Sequence, residues 1–199
     1  MQAPINQDER EKYFALDCEM VGVGTGEKSA LARVSVVDYD CNVVLDTFVQ
    51  VPERVTDFRT HVSGVRAKDI QSNKNPNAMD FLACRKKVGD ILFGKILVGH
   101  ALKNDLSALM LDHPRSFIRD TATYKPLMKV TGEGGGKHRP RKLKDLAKEF
   151  LEMEIQREGE EHSPIEDAKA TMEVFKNFRQ KWEKQVAKKD VKGTMKKSD

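Results

Sequence analysis

The sequence predicts one α/β domain with a mixed central sheet, an antiparallel β-meander and flanking helices. Three observations predict it. The first third holds strand-like apolar runs joined by short polar or glycine-rich turns, as in a meander. The second half carries helical periodicity interrupted by short apolar strands. The resulting order, three strands and then alternating helices and strands, is that of a sheet with helices packed on it.

The elements follow in order. Residues 1–12 are polar and expected to be flexible. Tyr13-Phe-Ala-Leu-Asp-Cys-Glu-Met20 reads as a strand, and Gly22, Gly24 and Gly26 as a turn after it. Two more strands are expected at Leu31–Tyr39 and Val43–Val51, joined around Asp40–Asn42. Ala78–Phe93 has helical spacing, with Phe81, Leu82, Val88, Ile91 and Leu92 on its apolar side. Lys95–Gly99 is a short apolar strand, followed by a helix near Lys103–Leu111 and a short strand at Phe117–Asp120. Lys142–Leu151 and Pro164 to about Val186 are helical. Val130–Arg141 reads as a mobile basic loop, and 188–199 as a basic, disordered tail beyond a domain spanning 13–187.

The 199 residues are 39% hydrophobic, enough for a core, and carry a formal charge of +4. All of that surplus sits in residues 181–199, with seven lysines against three acids; the first 180 residues balance at 28 basic and 28 acidic groups. The average charge therefore does not indicate a uniformly basic nucleic-acid binder. No apolar run reaches the roughly 18–20 residues that span a bilayer, and no signal-peptide pattern opens the chain. Neither a membrane nor a secreted protein is expected. Cys18, Cys41 and Cys84 are odd in number and widely spaced, which argues against a disulfide framework or a zinc site.

Carboxylates carry the functional signal. On the first strand, Phe14, Leu16, Cys18 and Met20 share one face, while Asp17 and Glu19 share the other. Two like charges on one strand face repel, and a divalent cation would remove the repulsion. A solvated edge strand is the plainer alternative, but the apolar flanks favour a central strand. Asp105 lies near the start of the helix after an apolar strand, where α/β folds place sites. A helix-start acid favoured by the macrodipole stands beside that reading. Ser163-Pro164-Ile165-Glu166 has the form of a capping box, which makes His162 and Asp167 the N′ and N4 positions that meet across a helix start. That pair is either an ion pair on a surface helix or part of one site. Taken together, four carboxylates would carry −4 and two divalent ions +4, the balance of two-metal phosphoryl chemistry with a histidine to take the proton.

Asp17-x-Glu19, Asp105 and His162-x4-Asp167 resemble the DEDDh exonucleases, whose fold is RNase H-like. Ala15-Leu-Asp-Cys-Glu-Met-Val-Gly-Val-Gly24, Ala32-Arg-Val-Ser35, Val55-Thr-Asp-Phe-Arg59, Val62-Ser-Gly64, Ile96-Leu-Val-Gly-His-Ala-Leu-Lys-Asn-Asp105 and Ile118-Arg-Asp-Thr121 narrow the likeness to the RNA exonuclease 4 group, over roughly residues 13–185. The resemblance implies 3′→5′ hydrolysis of single-stranded RNA to nucleoside 5′-monophosphates with two Mg²⁺ or Mn²⁺ ions. Asp17, Glu19, Asp105 and Asp167 would hold the metals, and His162 would be the general base. Met20 and Arg59 would touch the terminal ribose, with Cys18 and His100 as further substrate-binding positions. Pre-ribosomal RNA as substrate and a nuclear or nucleolar location are implied too, and a monomer is expected. A DNA-directed repair exonuclease and a non-catalytic RNA-binding module are the alternatives.

Weaker signals remain. Gly22-Val-Gly-Thr-Gly26 is neither a dinucleotide fingerprint nor a P-loop. Lys137–Lys148 holds six basic residues against Asp145, either a strip that contacts phosphates or a solvated face. Tyr124 and Phe58 are candidates for stacking on bases or for the core.

Overall fold

The computed structural model describes residues 5–25, 28–132 and 136–195, the side chains of 189–195 excepted. Helix α1 (Gln7–Arg10) is one turn started by Asn6, whose side chain accepts a hydrogen bond from the Glu9 N–H at 2.8 Å. It does not hang free. Arg179 donates to Glu9 Oε1 at 2.7 Å, and Arg10 pairs with Asp40 at 2.7 Å. Part of the segment expected to be flexible is thus held to the body of the fold.

The meander forms as expected: β1 (Tyr13–Val23), β2 (Lys28–Asp38) and β3 (Val43–Phe48) pair antiparallel. β1 and β2 are longer than their apolar cores, because the ladder continues through Gly22↔Ser29. The sequence reading assigned no structure to the next segment, which contains β4 (Val55–Asp57), α2 (Thr60–Ser63) and α3 (Ala67–Ile70). β4 adds to the far end of β1 through Gly22↔Asp57. Helix α4 (Phe81–Leu92) starts where the Asp80 side chain accepts from the N–H groups of Leu82 and Ala83. β5 (Ile96–Gly99) returns parallel to β1, α5 (Lys103–Ala108) follows, and β6 (Ile118–Asp120) pairs parallel to β5. The sheet order is β3-β2-β1-β5-β6, which places β1 in the interior.

Val130–Arg141 departs from the expected loop. Its described residues form a hairpin of β7 (Lys129–Thr131) and β8 (Lys137–Arg139); Gly134 and Gly135 lie outside the described residues, as does Gly26. Helices α6 (Leu143–Leu151) and α7 (Pro164–Met195) complete the chain. α7 runs past the expected end near Val186 and takes in most of the segment read as a tail; 196–199 lie outside the described residues. Among the described residues no helix is long and apolar enough to cross a membrane.

Strand alternation sorts β1 into two cores. Tyr13 and Ala15 pack with Val37, Met172, Phe175 and Trp182 beneath α7. Leu16 and Cys18 pack with Val34, Val36, Val88, Leu97 and Leu102 beneath α4 and α5. Fully burying such side chains contributes about 1.5–3 kcal/mol each. The sheet is therefore fixed on both faces, and its far strand end is free to carry charge.

Candidate active site

β1 outruns its parallel neighbour. Pairing with β5 stops at Ala15↔Val98, so Asp17 and Glu19 lie beyond the end of β5. On the other side Asp17 faces Ser35 and Glu19 faces Arg33 across the β2 ladder. The register shifts immediately after Glu19: Met20 faces Leu31, which leaves Ala32 as an extra residue. A bulge of this kind bends the strand and redirects the side chains around it.

Asp105 arrives by a tight return after β5. A Cβ at Gly99 would lie 2.2 Å from Leu102 Cδ2, so only glycine lets Leu102 fold back and begin the path into α5. Ala101 is in the left-handed region at φ +60°. The Asp120 carboxylate holds this turn, accepting from the N–H groups of Ala101 at 2.9 Å, Leu102 at 3.1 Å and Ala122 at 2.9 Å. Asp105 is buried at 5% exposure, and the Cys18 thiol hydrogen-bonds its carboxylate.

The third element of the site is the start of α7. The Ser163 carbonyl accepts from Asp167 N–H at 2.9 Å. Of the capping-box bonds, the one from Glu166 N–H to the Ser163 hydroxyl is present at a long 3.5 Å. The loop before it is pinned to α2: His162 N–H donates to the Val62 carbonyl at 2.7 Å, and Glu161 pairs with Arg66. This puts His162 and Asp167 together with Glu19; each offers a ligand atom, and those atoms lie within 4.8 Å of one another.

The four carboxylates form one electrostatic unit. Burial, then Asp105, Asp167 and Glu19, hold the Asp17 carboxyl well above the usual range. Burial, with Asp167 and Asp105 against the opposing Arg33, lifts Glu19 to about 8. Burial lifts Asp105 to about 7 and Asp167 to about 6. His162 moves the other way, lowered by burial and then by Lys144. One further observation fits a cation: Asp167 Oδ1 is buried without a hydrogen-bond partner among the described residues. Buried carboxylate oxygens are otherwise satisfied, and hard divalent ions take oxygen ligands, so this donor set fits such ions.

Asp17 and Asp105 also line an open cleft of about 560 Å³ with Cys18, Met20, Arg59 and His100, the four remaining residues singled out from sequence. Arg59 is fixed by its Nη1 donating to Ser29 Oγ at 2.9 Å and its N–H to Asp57 Oδ1 at 2.9 Å. His100 Nδ1 is 2.9 Å from Thr121 Oγ1, and the Arg141 backbone hydrogen-bonds its ring. All nine residues are therefore gathered at one end of the sheet. Sequence reasoning missed Ser29 and Asn104 in the cleft wall, and Gln156, which donates to Asp167 Oδ2 at 2.7 Å. No sequence signal marks Gln156. The two aromatic candidates go to the core instead. Tyr124 is 7% exposed and stacks on Trp182 with ring centroids 3.8 Å apart, and Phe58 packs against the cluster of Val21, Ala32, Val65 and Ile70.

Known proteins resemble this chain over most of its length. Residues 14–175 match the exonuclease family (RNase T). RNA exonuclease 4 of Mycosarcoma maydis is 48% identical over 175 residues, 87% of this chain and 44% of that protein. RNA exonuclease 4 of Saccharomyces cerevisiae is 49% identical over 174 residues, 87% of this chain and 56% of that protein. The chain thus spans about half the length of these curated relatives. Among solved structures, the Neurospora crassa Pan2 catalytic unit superposes with a TM-score of 0.73 at 22% identity, covering 93% of this chain and 30% of that one. The S. cerevisiae Pan2 pseudoubiquitin hydrolase–RNA exonuclease module in complex with AAGGA RNA does so at 0.69 and 27% identity, covering 97% and 33%.

Proposed function

We propose that this chain, which belongs to the exonuclease (RNase T) family, hydrolyses single-stranded RNA from its 3′ end and releases nucleoside 5′-monophosphates. Its fold is the mixed-sheet, RNase H-like exonuclease fold that the resemblance implied. The observation that carries the reading is the packing of four carboxylates against one another, each with its ionised form disfavoured as the protein stands. Such an arrangement costs stability and is retained where it serves a site. RNA as substrate draws support from relatives named RNA exonuclease 4 and from the RNA complex of the Pan2 module.

Asp17, Glu19, Asp105 and Asp167 would hold two divalent ions, Mg²⁺ or Mn²⁺. Bound there, such ions supply Lewis acidity for phosphodiester cleavage and offset the carboxylate charge. The chain's own groups do the rest. His162, whose protonated form is disfavoured by burial and Lys144, accepts the proton of the attacking water at an imidazole nitrogen. Met20 and Arg59, in the wall beside Asp17, contact the terminal ribose, and Cys18 and His100 complete that wall. Release of a 5′-monophosphate leaves the shortened strand with a new 3′-hydroxyl, ready for another round. We infer further that the substrate in the cell is pre-ribosomal RNA, the location nuclear or nucleolar, and the acting form a monomer.

Incubation of matched 5′-labelled RNA and DNA oligonucleotides with Mg²⁺ or Mn²⁺ tests this. A ladder shortening from the 3′ end of RNA, with nucleoside 5′-monophosphates as product, is expected. Preferential loss of DNA would make the enzyme a DNA-directed exonuclease. Tight RNA binding without nucleotide release would make it a binding module.

A further inference from the structure

The β7–β8 ribbon places three basic residues on one face. Lys129 faces Arg139 directly across the ladder, and Lys137 faces Thr131. Directly paired residues of an antiparallel ribbon share a face, and the intervening Val130–His138 pair occupies the other. Lys129, Lys137 and Arg139 therefore project from one side. Like charges placed opposite each other disfavour the ribbon, so the sequence here works against local stability.

Among the described residues no ion pair neutralises them, and Glu133 lies outside those residues. The described residues of the ribbon include no acid, and none of the three cations makes an ion pair among the described residues. Their neighbours do: Arg141 pairs with Glu149, and Lys148 with Glu154. At the base of the ribbon an open cleft of about 540 Å³ is lined by three basic residues, Lys129, Arg141 and Lys142, and one acid, Asp145. This base adjoins the catalytic cleft, because the Arg141 backbone hydrogen-bonds His100, which lines that cleft with Asp105.

We propose that the β7–β8 ribbon is an RNA-tracking arm, in which Lys129, Lys137 and Arg139 hold phosphates on the 5′ side of the terminal nucleotide. The proposal rests on the exonuclease reading for the direction of the strand. It goes beyond that reading by assigning a second contact region outside the cleft. A cleft lined by Asp17 and Asp105 does little to attract a polyanion, and an adjoining cationic face supplies the attraction that keeps the strand in place. Phosphate contacts of this kind position a strand without selecting its sequence.

The test compares the wild type with Lys129→Ala/Lys137→Ala/Arg139→Ala, and with Lys86→Ala as a remote charge control. Binding of a long single-stranded RNA is measured against salt in EDTA, and hydrolysis is measured on that RNA and on a dinucleotide. For the triple variant, KM on the long RNA should rise about tenfold with kcat kept, and the log–log salt slope should shrink by about 2 for three lost contacts. Dinucleotide hydrolysis should stay as in the wild type. Lys129→Arg/Lys137→Arg should retain wild-type values. Unchanged KM and salt slope would overturn the arm, as would an equal loss on the dinucleotide. Weakened RNA binding by the triple variant, in a protein whose wild type releases no nucleotide, would keep the arm and remove the exonuclease reading instead.

Discussion

Gln156 donates its side-chain amide to Asp167 Oδ2 at 2.7 Å, while the other oxygen, Oδ1, is buried without a partner. One lone-pair direction of the carboxylate is thus occupied by the protein and the other is left for a ligand. Gln156 sits at φ +49°, a backbone state that side chains rarely adopt and that persists where the surroundings impose it. Residues that hydrogen-bond a metal ligand typically control affinity by about 10–100-fold. Gln156→Ala should therefore raise the Mn²⁺ concentration for half-maximal activity by that factor. Saturating metal should restore most of kcat. An unchanged metal requirement would show that Asp167 needs no such support.

Loss of the proposed proton acceptor would have a different signature. His162→Ala should lower kcat by about 10²–10⁴-fold without a comparable change in metal requirement. In the wild type the imidazole is pushed below its ordinary value by burial and Lys144, so the activity should rise with pH at a lower pH than an ordinary imidazole would give. Lys144→Ala should move that rise to higher pH. A pH profile insensitive to His162→Ala would argue for another base.

The carboxylates tie stability to pH and metal. Glu19 is lifted to about 8, Asp105 to about 7 and Asp167 to about 6, all above their ordinary values of 4.5, 3.8 and 3.8. Between the ordinary and the raised value the folded chain binds more protons than the unfolded one. Stability of the metal-free protein therefore falls as pH rises from about 4 towards 8. Melting in EDTA should occur at lower temperature at pH 8 than at pH 5.5, and Mn²⁺ should recover the loss mainly at pH 8. Asp105→Asn should raise the melting temperature in EDTA at pH 8 while abolishing hydrolysis. Equal metal-free stability at the two pH values would mean that the charges do not repel in the folded state.

Arg59 offers a test of sugar discrimination. Its guanidinium is oriented by Ser29 and its backbone by Asp57, beside Met20 in the cleft wall. A charged hydrogen bond to a ribose hydroxyl is worth about 1.5–3 kcal/mol. Arg59→Ala should thus cost about 10–100-fold in kcat/KM on RNA and much less on DNA. Parallel losses on both would separate Arg59 from ribose recognition.

Asp17 and Glu19 were legible because a strand of period two sorts side chains by parity, and Tyr13 and Ala15 on their face are buried as that parity requires. Asp105, His162 and Asp167 were legible because helix starts have a residue grammar. The elements that escaped notice are those too short to show a period. β4 spans three residues and exists because the end of β1 gives it a partner. β7 and β8 are just as short, and their glycine-rich connection resembles an unstructured loop until the ladder is seen. Gln156 was invisible for another reason: its role depends on the path of an irregular segment, which no local pattern encodes.

Trp182, stacked on Tyr124, bears on the geometry of the site through its helix. It shares α7 with Asp167, 15 residues away, or about 22 Å along the axis. A helix of that length acts as a lever. One degree of tilt about the Trp182 end would displace the Asp167 carboxylate by about 0.4 Å, close to the ~0.5 Å within which working sites are held. The aromatic stack is in that sense the instrument's alignment screw: a remote change that loosens it would misaim the chemistry before it unfolded the protein.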